Sequence, residues 1–181
     1  ANNNVTTITR DASGKVTGIT GPYGQSNSIT LDANGYLASI TNPNGETTSF
    51  SYTADGLLTS ATPPGKPASS FQYDSGGRLI QTSDPAGGGE TLTRTNLATG
   101  YQVSSVTTGG QSSTYKVEYL PDGQQRRTNT MPDGTTQTTQ IRTDGSQVIT
   151  QPDGISQTVS VTGDPRFGLQ SPIPTSLAVT T

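Results

Sequence analysis

The sequence predicts an all-β protein, a repetitive antiparallel β-hairpin array with almost no helix. Three observations carry this prediction. Turn-forming glycines recur at a fixed step of 21 residues, at Gly14, Gly35, Gly56 and Gly77. Between the turns apolar and polar side chains alternate, which is the period of a strand with two unlike faces. No ten-residue stretch carries the 3.6-residue period of an amphipathic helix.

The composition narrows the class. The 181 residues could form one large domain or one piece of a longer array. Apolar residues make up 27%, against about 45–50% in an ordinary globular domain. Charged residues are also sparse, and the gap is filled by Thr, Ser, Gln, Asn and 22 Gly. A disordered chain of such low hydrophobicity usually carries high net charge, but here the net charge is only -3. Thr is β-branched and favours strands, and a random polar chain would not hold a 21-residue step with aligned apolar positions. There is no Cys, so disulfides are excluded and redox chemistry gives no clue to compartment. No apolar run approaches the length of a transmembrane helix, so no membrane span is expected. The N-terminus "ANNNVTTITR" has no charged start and no apolar run, so no signal peptide is expected. The missing initiator Met and the abrupt ends predict a fragment or processed segment. A pI near 4.7 offers no basic stripe, so nucleic acid is not expected as a partner.

Four segments follow in order. Residues 1–7 form a lead-in. Residues 8–120 hold repeats of about 21 residues, each with two turns. The first turn reads "DASG" (Asp11–Gly14), "DANG" (Asp32–Gly35), "TADG" (Thr53–Gly56) and "DSGG" (Asp74–Gly77). The second reads "PYG" ending at Gly24, "PNG" ending at Gly45, "PPG" ending at Gly65, and "PAG" from Pro85 to Gly87. Asp and Asn bond their own backbone in turns, Pro fixes φ, and Gly supplies φ > 0. The spacing leaves room for strands of about six residues.

The strands are legible between these turns. After the first turn come Val16 and Ile19, Leu37 and Ile40, and, in a later copy, Leu79. A spacing of three breaks the period of two, which predicts a β-bulge. After the second turn come Ile29 and Leu31, Phe50 and Tyr52, and Phe71 and Tyr73. Tyr115, Val117 and Tyr119 alternate in the same way. All are assigned to packing on one sheet face.

Residues 121–163 are degenerate half-repeats, with turn glycines at Gly123, Gly134, Gly145 and Gly154. Their apolar positions are mostly Thr, Gln or Arg, so each must lean on its neighbours. Residues 164–181, "DPRFGLQSPIPTSLAVTT", lose the pattern, and three prolines exclude a central strand. This segment is expected to be a Pro-rich connector or cap.

"YDSGGRLIQTSDPAGGGETLTRT" resembles the YD repeat of the Rhs family, with Tyr73, Asp74, Gly77, Arg78, Leu79, Asp84, Pro85 and Gly87 on the motif. Flanking copies match in part, with Leu31 or Thr53 where the Tyr would stand. Rhs proteins, the B and C components of bacterial toxin complexes, and the teneurins share this repeat. The resemblance implies a spiral β-sheet that closes as a hollow shell, which in bacterial members encloses a toxic domain. A low apolar fraction suits such a wall, which has much surface and little dense interior.

The residues argue against catalysis. With no His and no Cys, the usual triads, zinc sites and imidazole bases are absent. Asp residues at turns supply too few oxygens per loop for calcium. Some relatives cleave themselves with paired Asp-Pro-x-Gly motifs, but here "DPAG" at Asp84 has no second copy, since "DPRFG" carries an extra residue. Two facing carboxylates are then lacking. No catalytic residue, metal ligand or cofactor is therefore assigned. The expected function is a non-enzymatic wall segment of a secreted or surface-displayed bacterial Rhs-type shell around a toxin. Its partners would be further repeats of its own chain, other copies of itself, and an enclosed toxin domain. Two alternatives stand beside it: a glycan- or cell-surface-binding adhesion module using Tyr platforms, and a self-assembling β-filament.

Overall fold

The computed structural model describes residues 4–181, so residues 1–3 of the lead-in lie outside it. The chain divides into two units, one up to Gly89 and one from Glu90 onward. The first holds β1 (Thr7–Arg10), β2 (Val16–Thr20), β3 (Ser26–Leu31), β4 (Leu37–Thr41), β5 (Thr47–Tyr52), β6 (Leu58–Thr62), β7 (Ser69–Tyr73) and β8 (Leu79–Ser83). The second holds β9 (Gly89–Leu97), β10 (Gly100–Thr107), β11 (Ser112–Tyr119), β12 (Gln125–Thr130), β13 (Thr136–Ile141), β14 (Gln147–Thr150), β15 (Ser156–Asp164) and β16 (Gly168–Thr180). Within each unit every strand pairs antiparallel with the next in sequence, and there is no helix among the described residues.

Local turn chemistry explains this meander. At the first hairpin the Asp11 amide donates to the Lys15 carbonyl (2.9 Å) and the Gly14 amide to the Asp11 carbonyl (3.0 Å). Gly14 closes the loop at φ 84°. This is the three-residue hairpin loop whose last residue must be left-handed, and glycine reaches that region without a Cβ clash. The same bonds recur at the turns beginning with Asp32, Asn42, Thr53, Asp74, Asp84, Leu120, Met131, Arg142 and Gln151. Among the described residues every positive φ belongs to a glycine.

The bulges are present. Thr9 faces Gly18 while Arg10 faces Val16, so Thr17 is the extra residue. The shift repeats at Thr30/Leu31, Ser51/Tyr52 and Gln72/Tyr73. One extra residue reverses the phase of the strand, so side chains three apart, such as Leu37 and Ile40, stay on one face.

Gly168–Thr180 is β16, a thirteen-residue strand along β15 that is exposed at every position. The proline rule excludes a central strand, but it permits one whose outer side is unpaired.

Candidate functional site

The first unit presents two unlike faces. Registered pairs put Ile8 opposite Ile19, Ile29 opposite Ile40, Leu31 opposite Leu37, Phe50 opposite Ala61, Tyr52 opposite Leu58, and Tyr73 opposite Leu79. In β3 and β5 the residues on this side are half-buried and their neighbours exposed. The opposite side is a carpet of hydroxyls. Thr20 donates to Ser26 (3.0 Å), and Thr30 with Ser39 (2.7 Å), Thr41 with Thr47 (2.8 Å) and Ser70 with Ser83 (2.7 Å) share hydrogen bonds across strands. No apolar side chain is buried among the described residues, and Ser105 and Ser146 are the buried polar ones.

The turn rows carry most of the carboxylates, in two arrangements. In the first, Asp opens the turn. Asp74 Oδ1 accepts from the Gly76 amide (2.8 Å) and the Arg78 amide (2.9 Å), and Asp11, Asp32 and Asp84 do likewise with their own turns. In the second, Asp stands third, after Pro or Thr. Asp122, Asp133, Asp144 and Asp153 each accept the amide two residues on. Hydrogen bonding favours the charged form. The Ser13 hydroxyl and the Lys15 amide hold the Asp11 carboxyl below the ordinary range. The Arg78 amide does the same for Asp74, the Thr135 hydroxyl for Asp133, the Ser146 hydroxyl for Asp144, and the Arg166 side chain for Asp164. These groups are tuned to stay ionised as turn acceptors, the opposite of what a proton donor needs.

Asp55 breaks this pattern. It stands third in its turn, but Thr53 Oγ1 accepts the Leu57 amide (3.0 Å) that Asp55 would otherwise take. Asp55, Leu57, Phe71, Tyr73, Asp74 and Gly77 line a shallow open cavity of about 380 Å³. Thr53, Thr59 and Ser75 line it too, and no group of three His, Cys, Asp or Glu is placed to hold a metal among the described residues.

The aromatics divide. The Tyr36 and Tyr52 rings lie 5.4 Å apart, and Tyr36 covers Gly56 of the next turn. The Tyr73 hydroxyl donates to the Leu58 carbonyl (2.8 Å). Of the residues assigned to the packed face, Ile19, Tyr115 and Tyr119 are 37%, 45% and 55% exposed. Ile19 lies between Ile8 on the short, exposed β1 and Asn27. Tyr115 lies between Val103 and Asn129, and Tyr119 has Gln125 across from it. Val117, between them, is half-buried against Tyr101. Two contacts of the second unit were missed in the sequence. Arg94 stacks 3.8 Å above the Tyr101 ring, and Glu118 joins Lys116 (2.9 Å) and Arg126 (3.1 Å), which together hold its carboxyl below the ordinary range.

The family model described as Teneurin YD-shell matches residues 1–180. The chain belongs to the teneurin YD-shell family. Among solved structures, this YD-shell segment is similar to the crystal structure of TcdB2-TccC3-TEV, at 14% identity and a TM-score of 0.34, covering 90% of this chain and 10% of that one. It is also similar to TcdB2-TccC3-Cdc42, at 11% identity and a TM-score of 0.21, covering 88% of this chain and 17% of that one. The YD-shell segment thus spans a tenth to a sixth of those chains. No match was found among curated proteins. No helix among the described residues is long and apolar enough to cross a membrane.

Proposed function

We propose that this chain is a non-enzymatic stretch of wall in a larger YD-repeat shell, made by a bacterium, secreted or surface-displayed, and enclosing a toxin domain outside this sequence. The observation that carries the reading is the single-layer architecture. A sequential meander with no buried apolar side chain among the described residues is a surface rather than a domain core. Its half-buried apolar side and its hydroxyl side are the two faces that a wall requires. Most of its carboxylates are turn acceptors, which supports a structural role.

Electron microscopy of the full-length protein that carries this chain tests the reading. The expected image is a hollow particle whose enclosed domain resists protease until the shell is opened. A solid particle, or an enclosed domain digested as fast as a free one, would overturn it. The adhesion reading keeps one specific support, the exposed rings of Tyr115 and Tyr119 on one side of β11. Saturable quenching of Tyr fluorescence by an oligosaccharide, lost on removal of both rings, would favour it.

A further inference from the structure

We propose that Pro172 and Pro174 form a strand-blocking device that keeps a further β-strand off the outer edge of β16. Of the twelve prolines, the other ten all lie outside strands, eight of them second in a turn. Pro172 and Pro174 alone stand inside a strand. Along β16, Gly163 faces Pro172, Thr162 faces Ile173, and Val161 faces Pro174. Antiparallel pairs alternate between those that exchange two N–H···O bonds and those that exchange none. Proline has no N–H, so the two proline pairs are the non-bonded ones, and Ile173 makes the bonds to β15. The proline nitrogens therefore face away from β15. Those are the positions where any other residue would present an N–H to the next strand.

The spacing of two removes consecutive donors from the outer edge without costing β15 a bond. The edge needs this protection. β16 is thirteen residues long and exposed throughout, and Leu177 and Val179, on the same face as the two prolines, stand more than half exposed. A long, exposed, apolar strand recruits another chain unless Pro, charge or a bulge blunts it. Pro172 and Pro174, with the register shift between Ser160 and Val161, supply two of these devices. The block acts on a following strand of the same chain and on a second copy alike. The occupant it refuses most directly is a second β16 pairing antiparallel.

The test compares the wild-type chain with the double variant Pro172→Thr/Pro174→Thr by sedimentation velocity over a concentration series. In that symmetric pair the double variant restores two backbone donors on each copy, four in all, and is expected to tighten self-association by roughly a thousandfold. Hydrogen exchange should then show the new amides at 172 and 174 protected only in the associated form. Pro152→Thr, at a turn, should associate like the wild type. A double variant that keeps the β-sheet circular dichroism spectrum and associates no more than wild type would overturn the proposal. If the double variant loses that spectrum, the single variant Pro174→Thr decides on the same criteria.

Discussion

Replacing Gly56 by Ala should cost distinctly more than replacing Gly45, although both close hairpin turns in the same unit. Their backbones are nearly alike, at φ 87° and 81°. An L-residue in the left-handed region costs about 1–2 kcal/mol, and both variants incur this. At Gly45 an added Cβ meets nothing within 4 Å. At Gly56 it would lie 2.7 Å from Tyr36 Cζ and 2.8 Å from Cε1 and Oη. The ring must then lift and give up its place beside Tyr52, an overpacking cost of about 1–3 kcal/mol. Gly45→Ala is therefore expected at about 1–2 kcal/mol and Gly56→Ala at about 2–5 kcal/mol. Changes in unfolded-chain entropy are common to both and cancel in the comparison. Urea unfolding followed by far-ultraviolet circular dichroism measures each cost. Repeating it on a Tyr36→Ala background closes a cycle, in which the extra cost at position 56 should vanish. Equal costs at the two glycines in the wild-type background would refute the turn-on-turn stacking.

Three further outcomes follow from the same geometry. Tyr73→Phe removes the 2.8 Å bond to the Leu58 carbonyl and should cost about 1 kcal/mol in the same assay. Asp74→Ala removes the acceptor of two turn amides and the partner of Arg78, whereas Asp55→Ala removes a group with no hydrogen bond among the described residues. The first should lower the urea midpoint measurably and the second should leave it essentially unchanged, and an equal loss in both would contradict the two turn arrangements. For pH, the carboxyls of Asp11, Asp74, Glu118, Asp133, Asp144 and Asp164 are all shifted downward. A carboxyl with a depressed folded pKa adds stability above its unfolded value of about 4 and loses it as pH falls through the folded pKa. Stability should thus hold from neutral pH down to about pH 5 and decline below it, and a urea midpoint that rises on acidification would contradict this.

The fold was legible because its determinants are local. A turn such as Asp11–Gly14 is specified by a side chain that bonds amides two and four residues on and by a glycine that closes the loop. The bulge at Thr17 could be read from the spacing of Val16 and Ile19, because face identity counts residues and one extra residue must change the count. What escaped depends on contacts across strands. Tyr36 covers Gly56 from twenty residues away, and only the register of β4 with β5 and β6 brings them together. The idleness of Asp55 reflects competition with Thr53 for one amide, which the motif "TADG" contains but does not rank. Tyr115 and Tyr119 alternate like core residues, and polar Asn129 and Gln125 stand across from them on the next strand, which the local pattern does not show. The tail was missed as a strand because prolines at alternate positions mark the free side of an edge as readily as a loop.

A sheet without buried apolar side chains must find its stability elsewhere. Each inner strand of a unit has its backbone bonds to two neighbours and a half-covered side chain or two on one face, so its share of stabilisation exists only while both neighbours are in place. The hydroxyl face fits this economy. Thr and Ser pairs such as Thr30 with Ser39 and Thr41 with Thr47 bond across strands without needing a second layer to cover them. The half-repeats carry this further. Gln140 donates to Gln124 (2.7 Å) and Gln137 to Gln151 (2.9 Å), so amide ladders take over where Ile and Leu are absent. The turn changes in step, from an opening Asp that bonds two amides to a Pro-Asp-Gly unit in which Pro restricts the unfolded chain and Asp bonds one. Stabilisation thus moves from side-chain burial toward preset backbone geometry in residues 121–163, where the apolar residues thin out.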